Sequence, residues 1–381
     1  MSSSISSSDG SRLRRGLRLV RALFGRGRTV AENDTPAGWR RFFRLTVGTA
    51  IVAGGIIYAF LVLVDPFDTL PLSPPLDRVP VTTNARYAFP ALARSAKFDS
   101  AIFGTSTSRL LRPVTLDPEF HARFANLAMN DSTAYEQSRL MRVFIRAHPA
   151  ARVMMVGIDV RWCVTGDDFQ KLTPRPFPAW MYGTDPWRGY AEMFNLYSVQ
   201  EAGQQFGVVT GIKAPTYGRD GYTSFVPPDS EYDPARVAMH LRQATLSALP
   251  GVRSGPPATW RFPALELLEK ELDALPSPTR KILFFAPYNH VIIPKADQSG
   301  AAGWAECKRR IAALADAVPN GLAVDFMIPS PITDRDDNYW DALHYRVGVA
   351  DGLARDLAAA ARGEPSADYR VLTVEDVGTA R

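Results

Sequence analysis

Cysteine is nearly missing from this chain. Cys163 and Cys307 are the only two, and neither has neighbours at metal-ligand spacing. That excludes a thiolate metal centre and the dense disulfide framework of a small secreted domain. Two free, buried thiols are the expected state, with a Cys163–Cys307 bridge as the alternative if the body is exported. Internal repeats are missing too, which removes repeat architectures. So is a basic body. The formal net charge is +5, yet residues 1–44 hold ten arginines and three acids, which leaves 34 basic and 36 acidic residues for the rest. The basicity belongs to the tail, and no bulk nucleic-acid footprint remains.

What is present begins with Leu45–Val64, twenty residues without a charge. At a helical rise they span about 30 Å, enough for the hydrocarbon core of a bilayer. A signal peptide competes for this reading, as does a buried core helix. The long leader, the length of the run and the lack of a small-x-small cleavage site oppose the first. Arg40, Arg41 and Arg44 precede the run, whereas Asp65 and Asp68 follow it. By the positive-inside rule residues 1–44 form a basic cytoplasmic tail, 45–64 a single transmembrane helix, and the remainder lies outside, periplasmic or extracellular. Within the tail, residues 1–11 are Ser-rich and expected to be disordered. Leu13, Leu17, Val20 and Phe24 recur at helical spacing among arginines. They fit either a basic helix on an anionic membrane face or a solvated tail.

Residues 65–84 form a connector with five prolines, extended and stiff. A helix is expected from Asn84 to about Ala96. Short apolar runs follow at Ala101–Phe103, Phe124–Met129, Arg152–Val160, Lys281–Phe285 and Leu322–Met327, separated by amphipathic segments at Thr133–Ala147, Phe262–Leu275, Ala302–Ala317 and Gly348–Arg362. Runs that are apolar on both faces, alternating with helices, predict an α/β fold with a doubly wound parallel sheet. Residues 164–260 break the rhythm. They are rich in Pro and Gly and carry Trp180, Tyr182, Trp187, Tyr190, Phe194 and Tyr197, with a helix expected over Glu192–Phe206. This inserted segment reads as a lid or substrate platform, its aromatics either stacking on sugars or packing a small core of their own.

Ligands in open α/β sheets sit beyond the carboxyl ends of the strands. Ser106, Asn130, Asp159 and Asn289 fall there. Ser106 stands in Gly104-Thr105-Ser106-Thr107-Ser108, between a strand and a helix start, beside unpaired N–H groups that can hold an oxyanion. An N-capping role explains the same serines. Near the other end Asp341-Ala342-Leu343-His344 places a carboxylate three residues before an imidazole. That spacing lets the acid orient the ring while its other nitrogen faces a serine.

With these two blocks the chain resembles the membrane-anchored SGNH (GDSL-like) hydrolase superfamily, in the branch of the alginate O-acetylation and teichoic-acid D-alanylation proteins. The likeness covers about 65–357, weakly over 164–260. It implies a flavodoxin-like SGNH hydrolase fold over 85–381, with Ser106 as nucleophile, His344 as base and Asp341 as its orienter. Thr105 stands where the family often has Asp. The oxyanion donors are Ser106 and the Asn130-Asp131 turn. There Asp131 replaces an expected Gly, unless Asn130 itself is the side-chain donor; as a bland alternative, Asn130 is a turn residue in the left-handed region. Tyr288, Asn289 and His290 are candidates for the acyl or sugar site, and His290 is a rival base. Asp159 and Arg161 are candidates for substrate contact or for an ion pair that braces the loop. No metal or cofactor is expected. The implied function is that of an extracytoplasmic serine esterase or O-acyltransferase acting on an envelope polysaccharide or glycolipid. It would be anchored in the cytoplasmic membrane by one helix and served by an acyl-transferring integral membrane partner. The alternative is a catalytically weak or inactive scaffold of the same fold, motivated by Thr105 and Asp131.

Overall fold

The computed structural model describes residues 35–166, 169–244, 255–296, 298 and 300–375. The expected disorder of residues 1–11 and both readings of residues 12–28, a basic helix or a solvated tail, lie outside them. The chain divides into two units, Met1–Phe60 and Leu61–Arg381.

The first unit holds most of helix α1, Pro36–Val64, which is long and apolar enough to cross a membrane. It starts earlier than the charge-free run, because Thr35 accepts the Gly38 N–H at 3.1 Å through its hydroxyl and Pro36 follows at the first helical position. The last residues of α1, Leu61 and Val64, are buried in the second unit.

The second unit is a mixed α/β body around one six-stranded sheet. Its strands are β1 (Ser100–Phe103), β2 (Phe124–Asn126), β3 (Val153–Ile158), β4 (Arg280–Phe285), β5 (Gly321–Asp325) and β6 (Arg370–Val371), in the order β2-β1-β3-β4-β5-β6. All neighbours are parallel except β5 and β6. The antiparallel β6 was not legible in the sequence, being two residues long. In register, Ile102 lies beside Asn126 and Met155, and Ile158 beside Phe285.

Successive strand residues point to opposite faces. Phe103, Met154, Val156, Leu283 and Phe285 join one apolar cluster, and Ile102, Met155, Ile282, Phe284 and Val324 the other. The first is covered by α5 (Ala134–Ala147), α9 (Pro263–Asp273) and α10 (Ala301–Ala317); the second by α4 (Pro113–Phe120) and α11 (Val347–Ala361). The continuous burial of β1 and β3 follows from this sandwiching. Between α1 and α4 lie α2 (Ala85–Leu92), capped by Asn84, and the single turn α3 (Ser106–Arg109). α2 ends four residues short of the expected Ala96.

The inserted segment contains α6 (Arg188–Glu192), α7 (Leu196–Val209) and α8 (Pro234–Gln243). The expected helix over Glu192–Phe206 begins later, at Leu196, because the Asn195 side chain accepts the Ser198 N–H at 2.9 Å and so caps it there.

The cysteine expectation is corrected. Cys163 and Cys307 form a disulfide across a sequence separation of 144, with Cα atoms 5.6 Å apart. Cys163 lies five residues past β3 and Cys307 in α10, so parallel neighbours in the sheet bring together what the sequence keeps distant.

Candidate active site

The sheet order reverses between β1 and β3, the place where a crevice opens beyond the carboxyl ends of the strands. β1 delivers Ser106 there. Gly104, at φ 143°, turns the chain, and α3 begins at Ser106 with its N–H free of any intrahelical partner. The turn is tightly seated. A Cβ added to Gly104 or to Gly157 would lie 2.2 or 1.8 Å from the Ser108 hydroxyl oxygen, so both strands must be bare where α3 rests on them. Thr105 does not cap the helix; its hydroxyl donates to Asp159 Oδ2 at 2.5 Å.

The opposite wall is a small hairpin. Trp340 N–H donates to His344 O at 2.8 Å, Arg346 N–H donates to Asn338 O at 2.8 Å, and Tyr339 bridges Tyr345. Asp341 and His344 occupy its tip. Asp341 Oδ1 accepts the N–H groups of Leu343 and His344 at 2.8 and 2.9 Å, a local turn that Asp favours. Oδ2 is 2.8 Å from His344 Nδ1, and His344 Nε2 is 2.8 Å from Ser106 Oγ. Burial acts to raise the Asp341 carboxyl, but the His344 ring and the two amides outweigh it and hold the group below its ordinary range. An ionised carboxylate only accepts hydrogen bonds, so Nδ1 carries the proton and Nε2 is left to accept from the Ser106 hydroxyl. Tyr345 fastens the hairpin to the Ser106 turn by donating its hydroxyl to Thr107 O at 2.5 Å.

The inserted segment buttresses the hairpin. The Phe225 ring meets the His344 ring edge-on at 5.3 Å, Tyr232 meets Trp340 at 5.4 Å, and His240 Nδ1 lies 3.2 Å from Trp340 O. Arg109, one turn after Ser106, is buried with its guanidinium over the rings of Tyr217 and Phe225. Of the aromatics singled out in this segment, Tyr182 is buried and Tyr197 packs on Phe67 and Tyr87, whereas Trp187 and Phe194 are exposed.

The 130–131 turn follows β2. Ser132 N–H closes it onto Met129 O, and Met129 N–H donates to Gly104 O at 2.9 Å, which ties it to the start of the Ser106 turn. The left-handed residue is Asp131, at φ 51°, and not Asn130. That is where a glycine would be most at ease. Arg86, fully buried, donates to Asn130 O and Asp131 O at 3.1 and 3.2 Å and pairs with Glu136 at 2.6 Å. Glu136 also forms the capping box of α5 with Thr133. The Oδ1 atom of Asn130 is buried without a hydrogen-bond partner. The Asp131 carboxylate pairs with Arg161 at 2.6 Å.

The remaining candidates separate. Asp159 and Arg161 do not form the expected pair through their side chains: Asp159 is buried and takes the Thr105 hydroxyl and the Arg161 N–H, while the Arg161 guanidinium goes to Asp131. Burial pushes the Asp159 carboxyl up, opposed by those hydrogen bonds. Tyr288 lines a largely apolar cavity of about 510 Å³ together with Val160, Ile292, Trp304, Leu343 and His344. Asn289 is fully buried, and its amide is engaged by Asp336 and by the Val291 N–H. The His290 ring turns to Thr333 O at 3.3 Å, so the imidazole that meets Ser106 is that of His344. Sequence reasoning missed Asn126, whose side chain donates to Leu111 O and Arg109 O at 2.7 and 3.1 Å and so anchors the end of α3. It also missed Phe225 and Tyr345. It missed Arg86 as well, because nothing local to Arg86 points to the 130–131 turn that it holds.

No family model matches this chain, and no curated protein matches it.

Proposed function

We propose that this chain is a membrane-anchored, extracytoplasmic serine esterase or O-acyltransferase of the SGNH type, acting on an envelope polysaccharide or glycolipid. The observation that carries the reading is the hydrogen-bonded series Ser106–His344–Asp341, with both heavy-atom distances at 2.8 Å. Ser106 Oγ attacks an acyl carbonyl while His344 Nε2 takes its proton. The carbonyl oxygen becomes an oxyanion, held by the Ser106 N–H and by donors of the 130–131 turn. As the tetrahedral species collapses, the bond to the departing alcohol breaks and Nε2 returns the proton to that oxygen, leaving an acyl-serine. Water or a sugar hydroxyl then repeats the steps in reverse and carries the acyl group away. Asp341 stays ionised throughout and stabilises the imidazolium.

Further support comes from the strand order β2-β1-β3-β4-β5, which is that of flavodoxin-like sheets, with Ser106 at its switch point. The Cys163–Cys307 bridge fits an oxidising compartment and hence a body outside the cytoplasm. The features that favoured an inactive scaffold have local explanations: Thr105 serves Asp159, and the charge of Asp131 is met by Arg161. The test is covalent labelling of the full chain by a fluorophosphonate probe, which the reading expects for the wild type and not for Ser106→Ala or His344→Ala.

A further inference from the structure

Helix α7 is built inside out. A helix on the surface of a water-soluble body turns its charges outward and its apolar residues inward. Here the buried positions are Ser198, Glu201, Ala202 and Gln205. Glu201 is the only charged residue among the fourteen, and it faces the protein. Its Oε2, and both amide atoms of Gln205, are buried without hydrogen-bond partners. The outward positions are uncharged. Leu196 is 84% exposed, and Ile212, just past the end of the helix, 81%. In water that exposes apolar surface while burying unpaired polar atoms, which costs on both counts. Against hydrocarbon the same arrangement is the better one, because polar side chains belong on the side away from lipid.

The neighbourhood of α7 identifies what lies against it. The chain enters the α/β unit at Leu61–Val64, directly from an apolar helix long enough to cross a membrane. Three residues later Phe67 stacks on Tyr197, in the first turn of α7, with ring centroids 6.2 Å apart. Leu72, 70% exposed, donates its N–H to the Tyr190 hydroxyl, and Tyr190 stacks on the exposed ring of Trp187. Exposed Trp beside exposed aliphatic residues is the composition of a surface set at the headgroup level.

We propose that the outward face of α7, together with Leu72, Trp187 and Ile212, lies in the interfacial layer of a lipid bilayer. The body is then seated on the membrane at this face as well as tethered to it. This inference is independent of the chemistry at Ser106. The test uses the full chain in vesicles of phosphatidylcholine and phosphatidylglycerol. Both native cysteines are in the disulfide, so Leu196→Cys, Ile212→Cys and, as comparison, Val114→Cys on α4 each give one thiol for an environment-sensitive fluorophore. We expect nitroxide carried on the lipid to quench positions 196 and 212 several-fold more than 114, and aqueous iodide to quench them several-fold less. Equal access of iodide to all three sites would overturn the proposal. Shielding of 196 and 212 from iodide without quenching by lipid nitroxide would overturn it too, by assigning the face to a protein contact.

Discussion

At Asp341 a single oxygen sets the tautomer of the neighbouring ring. An asparagine there can offer its N–H₂ to Nδ1, which would place the ring proton on Nε2 and leave nothing to accept from Ser106. Asp341→Asn is therefore expected to keep the fold and to lower the rate of probe labelling by about 10²–10⁴-fold. A labelling rate within a factor of two of the wild type would detach Asp341 from the chemistry. A second residue-scale prediction lies far from the site. Burial, and then the nearby Asp368 carboxylate, push Asp356 up to about 6. The folded state therefore holds this proton more tightly than the unfolded chain does. The stability it contributes is present at low pH and is lost as pH rises through about 6. Asp356→Asn should raise the melting temperature at about pH 8, by no more than about 1 kcal/mol in stability once partial exposure is allowed for, and leave it unchanged near pH 4. The two melting curves differing equally at both values would contradict this.

Among the elements, the turn α3 and the turn after β2 are held from behind by Gly157, Asn126 and Arg86. Gly157 has no room for a Cβ because Ser108 sits over it. Gly157→Ala should displace α3, and with it Ser106, reducing labelling sharply while the far-ultraviolet circular dichroism changes little. Arg86 holds the 130–131 turn from behind. The disulfide joins the loop after β3 to α10 and closes a long segment that includes the whole insertion. Reducing it is expected to cost about 2–5 kcal/mol of stability. Alkylation of the unfolded, unreduced chain followed by mass measurement should find no free thiol.

At this scale the sequence was informative about strands and poor at ends and pairings. The buried runs were visible because both faces of the sheet are covered, and Val153–Ile158 reads as apolar without alternation. β2 was expected to run to Met129 but ends at Asn126. The chain continues alongside β1 through Leu127 N–H to Ile102 O and Met129 N–H to Gly104 O, yet the Asn126 side chain turns away to bind α3. The Asp-x-x-His block announced itself through local spacing. Arg86 reaches the 130–131 turn across 44 and 45 residues, Asn126 reaches back 15 to 17 residues to Leu111 and Arg109, and Phe225 acts from the insertion, and no local pattern carries that information.

For the molecule as a whole, charge asymmetry and the apolar run of α1 divide the chain into a basic tail, a helix long and apolar enough to cross a membrane, and a body. The orientation drawn from Arg40, Arg41 and Arg44 expects a reporter fused after Arg381 to behave as exported: alkaline phosphatase active there, a cytoplasm-dependent fluorescent protein dark. The opposite pattern would return the body to the cytoplasm and remove the rationale for its disulfide. Two segments separated by more than two hundred residues, one at the end of β1 and one at the tip of a hairpin before α11, meet at the sheet's switch point, and the proposed chemistry depends on that meeting. Its most direct measurement is fluorophosphonate labelling of the intact, folded chain beside Ser106→Ala. Stoichiometric adduct on the peptide containing Ser106, absent from the variant, is the result predicted; well-folded wild-type protein that takes up no probe, or takes it up equally in Ser106→Ala, would contradict the account.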